Sequence, residues 1–286
     1  MVEYKRKSQL LDIWRRYKRN KMAVVGLLVL IIMIFVAIFA NQIADFETQA
    51  IRQNIPNRLQ TPSAEHFFGT DEFGRDVFAR IVHGTRVSLQ VGVISVGIAL
   101  AIGGTFGAIA GFYGKLADNV IMRVMDIFLA IPGILLAIAI VAALGSSMTN
   151  LMIAVGVSSM PIYARIVRAS VLTVKDMEFV EASRAIGAKN FTIIVSHIIP
   201  NSLAPVIVQS TLGVAGAILA TAALSFIGLG IQPPYPEWGA MLSSGRAFMR
   251  DHPHVVMFPG LSIMFTILVL NMIGDGLRDA LDPRLK

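Results

Sequence analysis

The 286-residue sequence has no cysteine, and only 15% of it is charged. Without thiols there is no disulfide framework, Cys-ligated zinc, iron–sulfur cluster or thiol nucleophile. So little charge, with 55% hydrophobic residues and a mean hydropathy of +0.68, excludes an ordinary soluble domain of this length. The signatures of an enzyme are missing as well. The nearest approach to a P-loop, Gly111-Phe112-Tyr113-Gly114-Lys115, lacks the four-residue spacing between glycines, and Leu116 stands where Ser or Thr is needed. Gly228-Leu229-Gly230 is a fragment of a dinucleotide fingerprint with no strand before it. There is no nucleophile elbow and no HExxH pattern. Among the five histidines, only His252-Pro253-His254 has a spacing that invites a metal, and two nitrogens alone make a poor site. The sequence therefore supports no catalytic residue, metal site or bound cofactor.

What is present is long apolar runs. A helix needs about 20 predominantly apolar residues to cross a bilayer. Six stretches are candidates: Met22 to Ala40, Ser88 to Phe112, Ile127 to Gly145, Leu151 to Ala164, Ser202 to Ile231 and Val255 to Ile273. The fourth is short and is expected to extend to Met148 and Ile166. The first exceeds the apolar core of a cleavable signal, about 7 to 15 residues, and reads as an anchor. The predicted fold class is all-α, a polytopic membrane protein with six transmembrane helices surrounded by lipid.

Charge orients these spans. Eight basic residues precede the first: Lys5, Arg6, Lys7, Arg15, Arg16, Lys18, Arg19 and Lys21. With the N-terminus inside, 18 of the 25 Lys and Arg lie on the cytoplasmic side, as the positive-inside rule requires, and an even number of spans puts both termini there. The net charge of +7 thus flanks hydrophobic spans, and no nucleic-acid-binding face is implied. The predicted organisation is a cytoplasmic basic segment 1–21, a first transmembrane helix 22–40 and an extracytoplasmic segment 41–87. A five-helix core 88–274 follows, containing a cytoplasmic loop 165–200, and a cytoplasmic tail 275–286 ends the chain.

Within the spans, Gly103, Gly107 and Gly111 form a doubled GxxxG, the spacing of a close helix-packing face. Pro132 and Pro161 lie inside spans, where each can kink its helix. Asp126 and Asp275 fall near cytoplasmic span ends, beside Arg123 and Arg278. Almost no charge lies at mid-membrane depth, which argues against an ion-coupled carboxylate relay. The alternatives from other classes are an ATP-independent channel or secondary transporter, and a membrane scaffold.

The loop 165–200 is the largest hydrophilic stretch on the predicted inner side. Phe179, Ala182, Ala185 and Ile186 share a helical face, Gly187 supplies a stop, and Pro200 marks the start of the next span. Ala182, Ser183 and Ala185 are small enough to let a partner approach the backbone.

Glu181-Ala182-Ser183, then Gly187, then His197-Ile198-Ile199-Pro200 resembles the EAA motif of ABC importer permeases, with Ser183, His197 and Ile199 in place of Ala, Ile and Leu. Phe68-Gly69-Thr70-Asp71-Glu72-Phe73-Gly74-Arg75-Asp76 is similar to the extracytoplasmic GTDxxGRD signature of the peptide-permease branch. The runs Leu224 to Gly230, Pro233-Pro234 through Trp238-Gly239, and Gly274 to Leu285 agree with the same branch. Together they resemble the second, C-type permease of dipeptide, oligopeptide and nickel importers.

The resemblance implies a type I importer fold in the bacterial cytoplasmic membrane and transport by alternating access. It implies a second homologous permease subunit, two cytoplasmic ABC ATPases carrying the ATP and magnesium, and an extracytoplasmic substrate-binding protein. It assigns Phe179, Val180, Glu181, Ala182, Ser183, Arg184, Ala185 and Gly187 to an ATPase-coupling helix. Short peptides are the expected cargo, with nickel or a metal chelate as the alternative.

Overall fold

The computed structural model describes residues 9–281, which are helical along most of their length and contain no named strand. Lys5, Arg6 and Lys7 of the predicted basic segment, and 282–286 of the predicted tail, lie outside the described residues. A short helix α1, Gln9–Tyr17, leads into α2, Lys21–Ile38, whose N-terminus is capped by Asn20 Oδ1 accepting from the Ala23 amide at 3.1 Å. At 18 residues α2 is about 27 Å long, close to the hydrocarbon thickness of a bilayer. It measures membrane depth for the other helices. One end packs Ala23 and Tyr17 against Gly276. At the other, Arg86 donates to the carbonyls of Ala37 and Ile38 at 2.8 and 3.0 Å, partnering groups that a helix end leaves unpaired.

Against that measure the central helices overshoot. Helix α3, Val77–Tyr113, is 37 residues with a π-helical turn at Leu100–Gly104. It begins at Val77, not at the predicted Ser88, because Asp76 caps it and its polar first turns are satisfied by protein: Arg80 reaches the Ala50 carbonyl, and His83 the Ala44 carbonyl. Residues 77–87, the end of the predicted extracytoplasmic segment, are therefore helical.

The predicted third span is two helices, α4 Lys115–Leu129 and α5 Gly133–Leu144, bent by 85°. Pro132 causes the break. It has no N–H to donate, and its ring disfavours helical backbone in the residue before it. Helix α6, Met148–Val174, absorbs Pro161 and runs past the predicted Ala164, so residues 165–174 of the predicted loop are helix. Then follow α7, Glu178–Ala185, and a helical run 190–201 with a π-turn at Ile193–Ile198. Helix α8, Leu203–Phe226, stops short of the predicted Ile231, because Gly228 at φ +86° turns the chain. Helix α9, Trp238–Gly245, precedes α10, His254–Leu281, which continues past the predicted Ile273 through the start of the predicted tail. Among the described residues five helices are long and apolar enough to cross a membrane, or six if the α4–α5 pair is one broken span.

Helix α6 is the hub, packed on α3, α5 and α8, while α10 packs on α2, α8 and α9. The α3–α6 contact is a glycine seam. A Cβ on Gly103 would stand 2.2 Å from the Met160 carbonyl oxygen, one on Gly107 2.3 Å from that of Ala164, and one on Gly111 2.9 Å from Val171 Cβ. Buried Val91, Ala99, Leu151, Val155, Tyr163 and Leu224 continue the core toward the α2 C-terminal end.

Because the atoms facing Gly103 and Gly107 are backbone, they cannot swing aside. Gly103→Ala or Gly107→Ala is expected to lower the thermal unfolding temperature of the purified protein, at about 1–3 kcal/mol of overpacking or more. Gly97→Ala meets nothing within 4 Å and should leave that temperature unchanged or slightly raised.

Candidate functional site

The α7 end of the bundle carries the sequence-predicted site. Helix α6 passes into α7 through only Lys175, Asp176 and Met177, and the Lys175 amide still donates to the Val171 carbonyl at 2.9 Å. Val180, fully buried, enters a cluster with Val171, Val174, Ile193, Ile198 and Val206. Ser183 is also turned inward, its hydroxyl donating to the Phe179 carbonyl at 2.8 Å. The 3.6-residue period explains both placements: positions 180 and 183 form the face bound to the chain's own bundle. The other predicted positions, Phe179, Glu181, Ala182, Arg184, Ala185 and Gly187, are exposed.

The helix is closed rigidly. The Ala188 amide donates to the Ser183 carbonyl at 3.1 Å and the Gly187 amide to that of Arg184 at 2.9 Å, a Schellman pair with Gly187 at φ +82°. Arg184 lies over the Phe112 ring, 5.6 Å from its centroid, and ties α7 to the end of α3. The outward surface combines Phe179, 39% exposed, with Ile186, 86% exposed, and the nearby exposed Met177 and Phe191. These large apolar side chains are held in place by the closed C-terminus of α7 and its buried inner face.

The opposite end is organised by Asp71. Its Oδ1 accepts the amides of Phe73 and Arg75, both at 2.9 Å, and its Oδ2 pairs with Arg75 Nε at 2.6 Å and Arg80 Nε at 3.5 Å. Arg75, Arg80 and Asp71 are all buried. Gly69 and Gly74 have positive φ, and a Cβ on Gly74 would sit 1.8 Å from the Asn54 carbonyl oxygen, so the GTDxxGRD-like run folds as a compact knot. Asp76 both caps α3 and accepts from His66 Nδ1 at 2.8 Å. His254, at the start of α10, meets the Thr70 carbonyl at 3.2 Å. The knot thereby holds the starts of α3 and α10 together. Next to it, buried Glu237 caps α9 through the amides of Gly239 and Ala240, both at 2.8 Å. Burial pushes its carboxyl up from the usual range, and the hydrogen bonds from Gly239, Ser225 and Ala240 offset only part of that rise.

Sequence reasoning missed two ion pairs between α4 and α6. Asp126 pairs with Arg165 at 2.7 Å, not with its near neighbour Arg123, because α4 lies across α6. Arg168 grips Asp118 with two nitrogens, the NH2 bond measuring 2.6 Å. The i,i+3 spacing of Arg165 and Arg168 was the available signal, since it puts both on one helical face. Among the described residues no three His, Asp or Glu side chains cluster as a metal site, and His252 and His254 stand with ring centroids 6.1 Å apart.

Comparison with known proteins matches residues 103–286 to the family described as binding-protein-dependent transport system inner membrane component. Residues 8–62 match the N-terminal transmembrane domain of oligopeptide transport permease C. The chain is 54% identical over 275 residues to the dipeptide transport system permease protein DppC of Alkalihalophilus pseudofirmus, covering 96% of this chain and 90% of that protein. It is 44% identical over 276 residues to the glutathione transport system permease protein GsiD of Pectobacterium atrosepticum, covering 96% and 91%. In fold it is similar to the inward-facing MetNI methionine ABC transporter, with a TM-score of 0.58 at 18% identity over 71% of this chain and 96% of that one.

Two substitutions test how rigidly these ends are built. Asp71→Ala leaves Arg75 and Arg80 buried without their carboxylate, a change that costs roughly 3–5 kcal/mol, and should speed amide exchange across residues 54–76. Gly187→Ala forces a left-handed alanine at about 1–2 kcal/mol and should speed exchange of the amide at position 187 and that of Ala188 only.

Proposed function

The chain belongs to the family of binding-protein-dependent transport inner-membrane components, in its dipeptide and oligopeptide C-type branch, and on that footing we propose how this permease subunit works. It is a transport component of an ABC importer without a catalytic site of its own, and its family works with ATPase subunits and a substrate-binding protein. This chain forms half of a pathway whose other half is a second, homologous permease. Two ATPases on the cytoplasmic side bind the ATP and magnesium, and an extracytoplasmic binding protein delivers the cargo. The basic residues that flank the spans support an orientation with the α7 end and both termini in the cytoplasm of a bacterial inner membrane.

The observation that carries the reading is the mounting of α7. Val180 and Ser183 hold it to the bundle while Phe179, Ala182 and Ile186 face away. A partner that grips that outer face displaces α6 with it, because only three residues separate the two helices. Closure of the ATPases around ATP would then become a rigid-body movement of the spans, opening the pathway outward, and hydrolysis would reset it. Short peptides are the cargo this reading favours. Both quoted relatives are named for peptide substrates, dipeptide and glutathione, and the binding protein does the selecting.

Reconstituted with its partner subunits and binding protein in liposomes, the complex should take up dipeptide only with ATP. Phe179→Ala combined with Ala182→Trp should reduce that uptake at least tenfold and uncouple ATP hydrolysis from binding protein, while the two permeases still copurify. Unchanged uptake would refute the docking role of α7. Dipeptide flux through the chain alone without ATP would refute an importer subunit in favour of a channel.

A further inference from the structure

The bent span is the part of the molecule whose attachment α7 does not explain. Helix α4 is exposed along most of its length, and its one fully buried side chain is Met125, which meets Met160 and Ala164 of α6. Its polar fixings to α6 are the two ion pairs, Asp118 with Arg168 and Asp126 with Arg165. The two aspartates are separated by about 12 Å along α4, and the two arginines by about 4.5 Å along α6. The helices therefore cross at an angle, and two separated anchors fix both the position and the direction of α4. They add to the packing of α4 on the end of α3 and to the apolar contact of Met125 with α6. The pairs border an open cleft of about 920 Å³ that also takes in Asn119, Met122 and Arg123.

Beyond Leu129 the chain loses its helical continuity. The Ile131 amide turns back to the Phe128 carbonyl at 3.3 Å, Pro132 has no amide to give, and α5 departs at 85°. Residues 130–132 are thus a joint between α4 and α5. On the other side, Arg165 and Arg168 lie on the last turns of α6, immediately before the connection to α7.

We propose that Arg165 and Arg168 are positioning residues for transport: through Asp126 and Asp118 they carry a displacement of α7 and α6 into α4, which swings at the Ala130–Pro132 joint. The inference rests on the reading that α7 receives force from an ATPase. It assigns the ion pairs a role in coupling. The Arg165–Asp126 pair is half exposed, where an ion pair adds little to stability, yet among the described residues it is one of two side-chain ion pairs between α4 and α6. Motion of α4 about the joint changes the width of the cleft it borders, so the pathway end nearest α7 responds to nucleotide on the partner.

The chain has no cysteine, so Val120→Cys on α4 and Leu144→Cys on α5 place its only two thiol-attached spin labels across the joint. In the reconstituted complex, ATP should shift the distance between the labels. Asp118→Asn with Asp126→Asn should abolish the shift and lower dipeptide uptake per ATP hydrolysed at least fivefold, with assembly and hydrolysis rate kept. Exchanging one pair, Asp126→Arg with Arg165→Asp, should restore at least half of the uptake lost in Asp126→Asn. An unchanged shift and uptake in the double variant would overturn the proposal. So would a parallel fall of uptake and hydrolysis, or an exchanged pair no better than the single variant. A parent complex with no ATP-driven uptake would refute the importer reading itself, and the coupling role with it.

Discussion

Close approach of α3 to α6 is the contact on which the rest of the bundle depends. In lipid the hydrophobic effect does not drive apolar helices together, so their association depends on how near the backbones can come. Gly103 and Gly107 allow α3 to lie against the backbone of Met160 and Ala164, and no larger residue could do so. That seam makes α6 the central element, with α5 and α8 completing its circumference. Since α6 passes almost directly into α7, the close packing along the glycine seam continues into a helix with an exposed outer face.

The two ends of the bundle use opposite chemistry. At the Asp71 end, buried charge and backbone hydrogen bonds gather segments distant in sequence, from Asn54 and Gln60 to His254, into one body. Desolvated charges of that kind hold only in complete sets, which makes the end rigid and intolerant of partial loss. At the α7 end one ion pair, Arg165–Asp126, is half exposed, the other, Arg168–Asp118, is partly buried, and large apolar groups face outward.

Much of the membrane architecture was legible from residue order because hydropathy reports directly on the lipid solvent. The apolar runs marked where helices cross, the glycine spacing marked their seam, and Gly187 marked the stop of α7. Helix ends were less legible. Arg80, His83 and Arg86 look like the end of a span in sequence, yet each bonds to a carbonyl from another segment and lets α3 continue. Residues 165–174 looked like loop for the same reason. Charge marks the end of the apolar run and not of the helix, which projects beyond the bilayer.

The sequence by itself determined an all-α membrane protein, its family, and the segment that folds as α7, because each depends on local periodicity or on short ordered motifs. Only the tertiary structure decided which face of α7 that segment presents. The helical period allows Phe179 or Val180 to point inward, and the choice falls to Val180 because Val174, Ile193 and Ile198 form a pocket for it. It also decided that Asp126 answers Arg165 and not Arg123. A crossing angle between two helices is a property of their packed side chains, and no spacing within either helix encodes it.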